Sequence, residues 1–306
     1  MKKQPQVSDI DLRLIRVYIA VVECGGFTAA EVKLSKSKSA ISMDMSELEG
    51  RLGITLCRRG RSGFSVTHLG HEVYNAAKRL LRNLEGFRHT VSALQESPEG
   101  TLHIYLSDNT VFDPRSRLPQ ILEEFIVRAP NASFAINGAT SKLVAQAVLA
   151  DDADVGFAVI GADNPSLECR ALYSEELFLY CAKNHPLFDA PAEKITLDSL
   201  YEHSFIKIEV LNDDRLKELI EPCDFTASAD QLDARAALIL TGKYLGFLPS
   251  HLASFWLARG DLRALLPEFM FMENTFYSVI KKGQQENPLV KIFKQCIDES
   301  FAHRRS

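Results

Sequence analysis

From Thr67 to Glu96 the chain contains no proline, and apolar side chains recur at Leu69, Val73, Ala76, Leu80, Leu84, Phe87, Val91 and Leu94. The steps between them run 4, 3, 4, 4, 3, 4, 3, close to a heptad seam with one stutter. The segment therefore predicts one long helix with Thr67 at its N-cap. Such a helix carries more apolar stripe than a small neighbouring domain can cover, which predicts a partner helix from a second subunit; packing within one chain is the alternative. The helix also divides the sequence, because residues 97–306 resume after the break Ser97-Pro98-Glu99-Gly100.

The two sides of this divide differ in charge. Residues 1–96 hold 15 Lys+Arg against 10 Asp+Glu, and the remaining 20 and 30 fall in residues 97–306. A basic leading segment joined to an acidic body predicts that only the first part meets a polyanion, since phosphate contacts supply most sequence-independent affinity for DNA. With 46% apolar and 25% charged residues, a chain of 306 suits two or three globular units. No apolar run approaches the ~20 residues of a bilayer span, and the start lacks a secretory h-region. Six cysteines without a CxxC pair suit a reducing compartment, so a cytoplasmic location without membrane contact is expected.

Within the basic segment, Leu12, Ile15, Ile19 and Val22 mark a first helix from Asp9 to Glu23, ended by Gly25-Gly26. Thr28 and Glu31 have capping-box spacing, with Phe27 and Val32 placed as a hydrophobic staple for a short helix from Ala29 to Leu34. After Ser35-Lys36-Ser37, a third helix from about Lys38 to Arg51 places Ile41, Met45, Leu48 and Leu52 on its core stripe. At 100° per residue, Ser39, Met43, Ser46 and Gly50 fall opposite, with Ser42 flanking and Asp44 on the side, where a local ion pair is expected. This small, uncharged face can approach base edges closely in a major groove. Lys36, Ser37 and Lys38 stand at the helix N-terminus, where orphan amides also favour phosphate. The stretch 57–67 puts Arg58, Arg59 and Arg61 around Gly60 and Gly63 and reads as a two-stranded wing.

Four motifs then carry a family resemblance: Phe27-Thr28-Ala29-Ala30, the Ser-x-Ser-Ala-Ile-Ser run at 37–42, Leu48-Glu49-x-Arg51-Leu52-Gly53, and the arginine after Leu56-Cys57. In these the chain resembles the LysR-type transcriptional regulator family, strongly over the first 66 residues and more loosely over the rest. It departs from the family at Lys38-Ser39, where glutamine and proline are frequent, and at Met43, where a basic residue is frequent. The resemblance implies a winged helix-turn-helix DNA-binding domain at 1–66, a linker and dimerisation helix at 67–96, and an effector-binding domain at 97–306. Its implied partners are double-stranded DNA, a small-molecule effector, a second copy in a homodimer, further copies in a homotetramer, and RNA polymerase; no cofactor is expected.

Past residue 97, strand-like runs alternate with helices: 102–106, 118–127, 133–136, 143–149 and 155–159 read as βαβαβ, and a second such series runs from about 169 to 248. The fold class is thus α/β overall. The family resemblance makes this part a two-lobed, periplasmic-binding-protein-like domain, with one lobe at about 100–163 and 268–306 and the other at 164–267. Its crossing strands are expected near 162–167 and 267–272. Ligands in such folds sit at the carboxyl ends of strands. That rule selects Ser107, Asp108, Asn109 and Thr110 after the first strand, Thr140 and Ser141 after the second, and Lys207, Gln231 and Phe247 opposite. Hydroxyls, helix N-termini and Lys207 suit a small organic acid, while Asp108 suits an amine or hydroxyl; Phe112, Phe205 and Phe247 would favour an aromatic acid.

An enzyme or a solute-binding protein using the same cleft is the competing class. GxSxG, HExxH, GxGxxG and the P-loop pattern are all absent, and the scattered histidines suggest no metal site. Neither a metabolic enzyme nor a solute carrier would need the basic wing.

Overall fold

The computed structural model describes residues 8–60, 63–93, 98–161, 164–209, 213–284 and 287–302. The chain divides into two compact units, residues 1–88 and 89–306, each described by itself.

The first unit holds α1 (Asp9–Glu23), α2 (Phe27–Leu34), α3 (Lys38–Leu52), a hairpin of β1 (Cys57–Gly60) and β2 (Gly63–Val66), and the start of α4 (His68–Ala93). Leu14, Val17, Tyr18 and Val21 of α1 meet Ile41, Met45 and Leu48 of α3 in one core. The α2 start differs from the capping-box expectation. Gly26, at φ 147, is the N-cap, Phe27 lies inside the helix and packs edge-on against Phe64, and Val32 is exposed. Glu31 instead accepts a hydrogen bond from the Lys38 amide at 2.6 Å, so it holds the start of α3 and not that of its own helix. Thr67 does cap α4, its hydroxyl accepting from the Gly70 amide at 2.8 Å.

The α4 stripe is shared out in a way the heptad reading does not anticipate. Val73, Tyr74, Ala77, Leu80 and Leu81 pack against the core of their own unit, whereas Leu69 and Phe87 are 56% and 67% exposed. Leu94 and the side chain of Val91 lie outside the described residues. Of the seam positions, Val73 and Leu80 are therefore packed within their own unit, while Leu69, Ala76 and Phe87 are exposed.

The second unit begins with a parallel β3 (Gly100–Ser107), α5 (Leu118–Arg128), β4 (Ala132–Ala139), α6 (Ser141–Leu149) and β5 (Val155–Val159), as the alternation predicts. One departure concerns the crossing strands. β6 (Leu167–Ala182) is a single sixteen-residue strand that runs through the unit. After it come α7 (Leu197–Tyr201), β7 (Ser204–Lys207), α8 (Asp214–Ile220), β8 (Asp224–Ser228), α9 (Leu232–Leu240), β9 (Gly246–Pro249), α10 (Ser250–Ala258), β10 (Leu262–Ala264), β11 (Phe271–Lys281) and α11 (Pro288–Ala302). Neither α10 nor β10 is marked by the periodicity of the sequence.

β11 pairs antiparallel with β6 from Phe271↔Phe178 to Lys281↔Leu167, and its far half also pairs with β5. The order β10-β6-β11-β5-β3-β4, with β9 also on β6, makes one continuous sheet. The crossing thus lies inside the β6–β11 ribbon, not at 162–167 and 267–272; residues 162 and 163 are outside the described residues. Two cores flank the ribbon. Ile104, Ile121, Phe125, Phe157 and Phe293 fill the first lobe, and Leu179, Phe205, Leu216, Leu245 and Met270 fill the second.

Gly70 is where α4 locks onto the first unit, since its carbonyl accepts from the Tyr18 hydroxyl at 2.6 Å and a Cβ there would overlap the Leu56 carbonyl oxygen. Gly70→Ala is expected to cost about 2 kcal/mol in denaturant unfolding by forcing these backbones apart. An unchanged midpoint would show that α4 moves away freely.

Candidate functional site

Two surfaces gather the residues singled out by sequence, one in each unit. On α3, Ser39, Met43, Ser46 and Gly50 are exposed and lie opposite buried Ile41, Met45 and Leu48; Met43 is 74% exposed. Several neighbours have other commitments. The Ser37 hydroxyl accepts from the Ala40 amide at 3.3 Å, and Ser46 donates to the Ser42 carbonyl at 2.9 Å. Asp44 is nearly buried on the helix flank and pairs with Lys36 at 2.6 Å and Arg13 at 2.7 Å. Burial would raise its pKa, but hydrogen bonds from Lys36 and Arg13 outweigh that and keep it below the ordinary carboxylate value. The Lys36 ammonium therefore faces a carboxylate within its own unit. Lys38 and Arg58 remain exposed, β1 and β2 form the two-stranded wing, and Arg61 and the side chain of Arg59 lie outside the described residues.

In the second unit a cleft of about 1040 Å³ opens between the lobes, with β6 and β11 contributing Glu175, Leu177, Met272, Asn274 and Phe276 to its wall. Ser107, Asp108, Thr140, Ser141 and Lys207 line it. Asn109, Thr110, Gln231 and Phe247 do not. Thr110 is buried and donates its hydroxyl to the Ser107 carbonyl at 2.6 Å, closing a turn for which Asn109 adopts φ 62. Gln231 is exposed at the α9 N-cap, and Phe247 lies in the second lobe's core at 1% exposure. Phe205 is likewise core, and Phe112 is exposed away from the cleft, so Phe276 is the aromatic ring among the described lining residues. The basis for an aromatic preference goes with them.

Local bonds define the rim. Asp108 accepts from the Leu232 amide at 2.6 Å, which joins the end of β3 to the α9 N-terminus across the cleft. Ser141 accepts from the Val159 amide at 3.2 Å and so ties α6 to β5.

Two further groups, Glu175 and Arg235, escaped the strand-end rule. Glu175 is 5% exposed and accepts a long hydrogen bond from the Asn274 side-chain amide at 3.5 Å. Burial pushes its carboxyl up to about 7, the Asn274 bond opposes this, and nearby Asp113 adds to it. Arg235 on α9 donates to the carbonyls of Phe247 at 3.3 Å and Ala229 at 3.2 Å, while its buried Nε has no acceptor among the described residues. One signal was available for Glu175. It shares the inward parity of β6 with Tyr173, Leu177, Leu179 and Cys181, all buried. Arg235 similarly stands on the helix stripe of Leu232 and Ile239.

Behind Glu175, ligand atoms of Asp113, Glu175 and His251 lie within 4.8 Å of one another. Arg115 already contacts both Asp113 oxygens, at 2.9 and 2.8 Å. A cation there would have to displace a guanidinium, so the group is an ion cluster that fits a metal poorly.

A model for a bacterial regulatory helix-turn-helix protein of the lysR family matches residues 12–71, and one for the LysR substrate binding domain matches residues 95–302. The chain belongs to the LysR-type transcriptional regulators. It is 37% identical to the HTH-type transcriptional activator BauR of Pseudomonas aeruginosa, over 95% of this chain and 96% of that protein. It is 27% identical to the transcriptional regulator BenM of Acinetobacter baylyi over 64% of each. Among solved structures, the LysR family regulator CbnR has the same fold, with a TM-score of 0.66 at 19% identity over 95% of this chain and 99% of that one. CbnR has also been solved in full length with its target DNA, at a TM-score of 0.65. As a LysR-type regulator the chain is a DNA-binding protein with a substrate-binding domain, and its relatives are named regulators, not enzymes. Among the described residues no helix is long and apolar enough to cross a membrane.

For Glu175 the pH dependence follows directly. Its folded pKa of about 7 lies above the ordinary 4.5, so its favourable contribution is complete below about 4.5 and is lost as pH rises through about 7. Relative to Glu175→Gln, the wild-type protein is expected to lose up to ~3 kcal/mol between pH 5 and 8. Parallel melting curves across that range would mean that the carboxyl is already ionised at pH 5.

Proposed function

We propose that this LysR-type regulator binds a specific double-stranded DNA site through α3 and the wing, under the control of a small organic acid held in the cleft between the lobes. The observation that carries the effector reading is the lining of that cleft. The hydroxyls of Thr140 and Ser141 stand at the α6 N-terminus, and Lys142, Lys207 and Arg235 supply positive charge to the same cavity. On the DNA side, Lys38 and Arg58 serve as phosphate contacts, and Ser39, Ser42 and Met43 read base edges. Arg59 and Arg61 belong with Arg58 by sequence, while the ion pair of Lys36 with Asp44 makes it a weaker candidate.

Footprinting on the DNA upstream of the protein's own gene, with and without short carboxylates, is the direct test. A footprint that changes with an acid supports the reading, and one indifferent to every acid tried refutes it. In the same assay Arg58→Ala should weaken binding to all sequences and reduce the log–log salt slope by about 0.9, the value of one phosphate contact. An unchanged slope removes the wing from the interface.

The exposed end of the α4 stripe supports a homodimer; tetramers formed through the effector domains, and RNA polymerase as a further partner, rest on the family resemblance alone. Phe87, 67% exposed, is the better probe of that dimer, because Leu80 also packs against its own unit. Phe87→Glu is expected to yield monomers by light scattering and to leave poor binding to a single half-site. Unaltered assembly would place the dimer contact elsewhere.

A further inference from the structure

Two groups in the cleft make no direct ion pair among the described residues, although each has opposite charge in its surroundings, Arg115 for Glu175 and Asp108, Asp230 and Glu175 for Arg235. Glu175 is buried at the cleft wall, with one long amide contact and no ion pair among the described residues. The cation nearest in the ion cluster behind it is Arg115, which grips Asp113 with both arms and is thereby committed. Arg235 is the mirror case. Two backbone carbonyls orient its guanidinium without neutralising it, its Nε is buried without an acceptor, and no carboxylate lies within ion-pairing distance among the described residues. Asp108, which faces the same cavity, is already occupied by the Leu232 amide. A buried charge without an ion-pair partner is costly: Glu175 meets that cost by holding its proton, its carboxyl pushed up to about 7 by burial, and a cationic group placed beside it would favour the charged form.

The wider lining agrees. Lys142, Lys207 and Arg235 are the cationic side chains of the cleft. Facing them are four carboxylates, those of Asp108, Glu175, Glu209 and Asp230. A receptor for a plain anion would place an excess of positive charge around its ligand, and this one does not. A simple carboxylate would neutralise Arg235 and leave Glu175 alone; a simple amine would do the reverse.

We propose that the effector is an amino acid, a molecule bearing an ammonium group set against Glu175 and a carboxylate set against Arg235. This narrows the organic-acid reading above and rests on it. Each end of such a ligand meets a buried partner of opposite charge held in place beforehand, the arrangement in which charge-assisted hydrogen bonds are strongest. Specificity comes from the pair: a compound lacking either end leaves one buried charge without a partner, which is how a polar site rejects a near relative of its ligand.

The test is calorimetric titration of the full-length protein with three matched straight-chain series of two to six carbons, namely carboxylates, alkylamines and ω-amino acids, together with the protein α-amino acids. The best amino acid is expected to bind at least ten-fold more tightly than the carboxylate and the amine of its own length. Glu175→Gln should abolish the advantage over the carboxylate, and Arg235→Gln the advantage over the amine. Glu175→Gln is near-isosteric, and a melting curve of each variant without ligand confirms that it is folded; Arg235→Lys keeps the charge if the glutamine variant does not fold. Carboxylates that bind as tightly as amino acids overturn the proposal while leaving an organic-acid cleft intact, and so does the absence of binding by every amino acid. An amino acid that binds with undiminished affinity to both variants overturns the proposal and the choice of cleft together.

Discussion

The second unit depends on one hydrogen-bonded ribbon. β6 and β11 pair over eleven residues of β11, and every other major feature of the unit is attached to that pairing: β5 on one side, β9 and β10 on the other, and the cleft wall between. Because side chains alternate along a strand, the register that buries Tyr173, Leu177 and Leu179 also turns Glu175 inward, and a slip of one residue would exchange the whole set for its solvent-facing neighbours. The stacked rings of Tyr173 and Phe276, 4.9 Å apart, sit beside the irregularity at Phe276 and Tyr277, where the register shifts. Lobe cores and charged wall are thus held by the same ladder, which positions an acid where burial alone would reject it.

The first unit solves a related problem with acidic side chains. Asp11 receives Arg51 at 2.5 Å, Asp44 receives Arg13 and Lys36, Glu31 holds the Lys38 amide, and Glu49 accepts from the amides of Leu56 and Cys57. These carboxylates clamp α3 to α1, to the turn before it and to the start of the hairpin. Their charge faces inward or sideways, and the face bearing Ser39 and Met43 carries none of it. A helix meant to approach a polyanion can hold Asp44 only on these terms.

Much of this was legible in the sequence because it follows from local periodicity. The turn spacing before α3, its core stripe, the hairpin and the βαβαβ series depend on residues close together in the chain, and each appears where the pattern put it. The failures have a common cause. Thr28 and Glu31 have the spacing of a capping box, yet the backbone at Gly26 starts the helix earlier and frees Glu31 to serve Lys38. Phe247 lies inside the short strand β9 near the cleft, but all four residues of β9 are buried, and its ring enters the core. Glu175 and Arg235 acquire their meaning only when strands and helix distant in sequence meet at one cavity. In LYSEELFLY, Glu175 looks like an ordinary polar residue of an edge strand; only the long pairing with β11 shows that it lies in a central one.

The hydrogen bond from the Leu232 amide to Asp108 has a bearing on how the lobes stand apart. It links Asp108, the residue just past the end of β3 in one lobe, to the first residue of α9 in the other, and at 2.6 Å it is a short contact between a backbone amide and a carboxyl oxygen. Drawing the lobes apart would orphan both an amide at a helix start and a carboxylate, and water would have to take the place of each. The separation of the lobes therefore has a preferred value of its own, set by a bond between two parts of the protein, and the gap behaves as a sprung joint with a rest length.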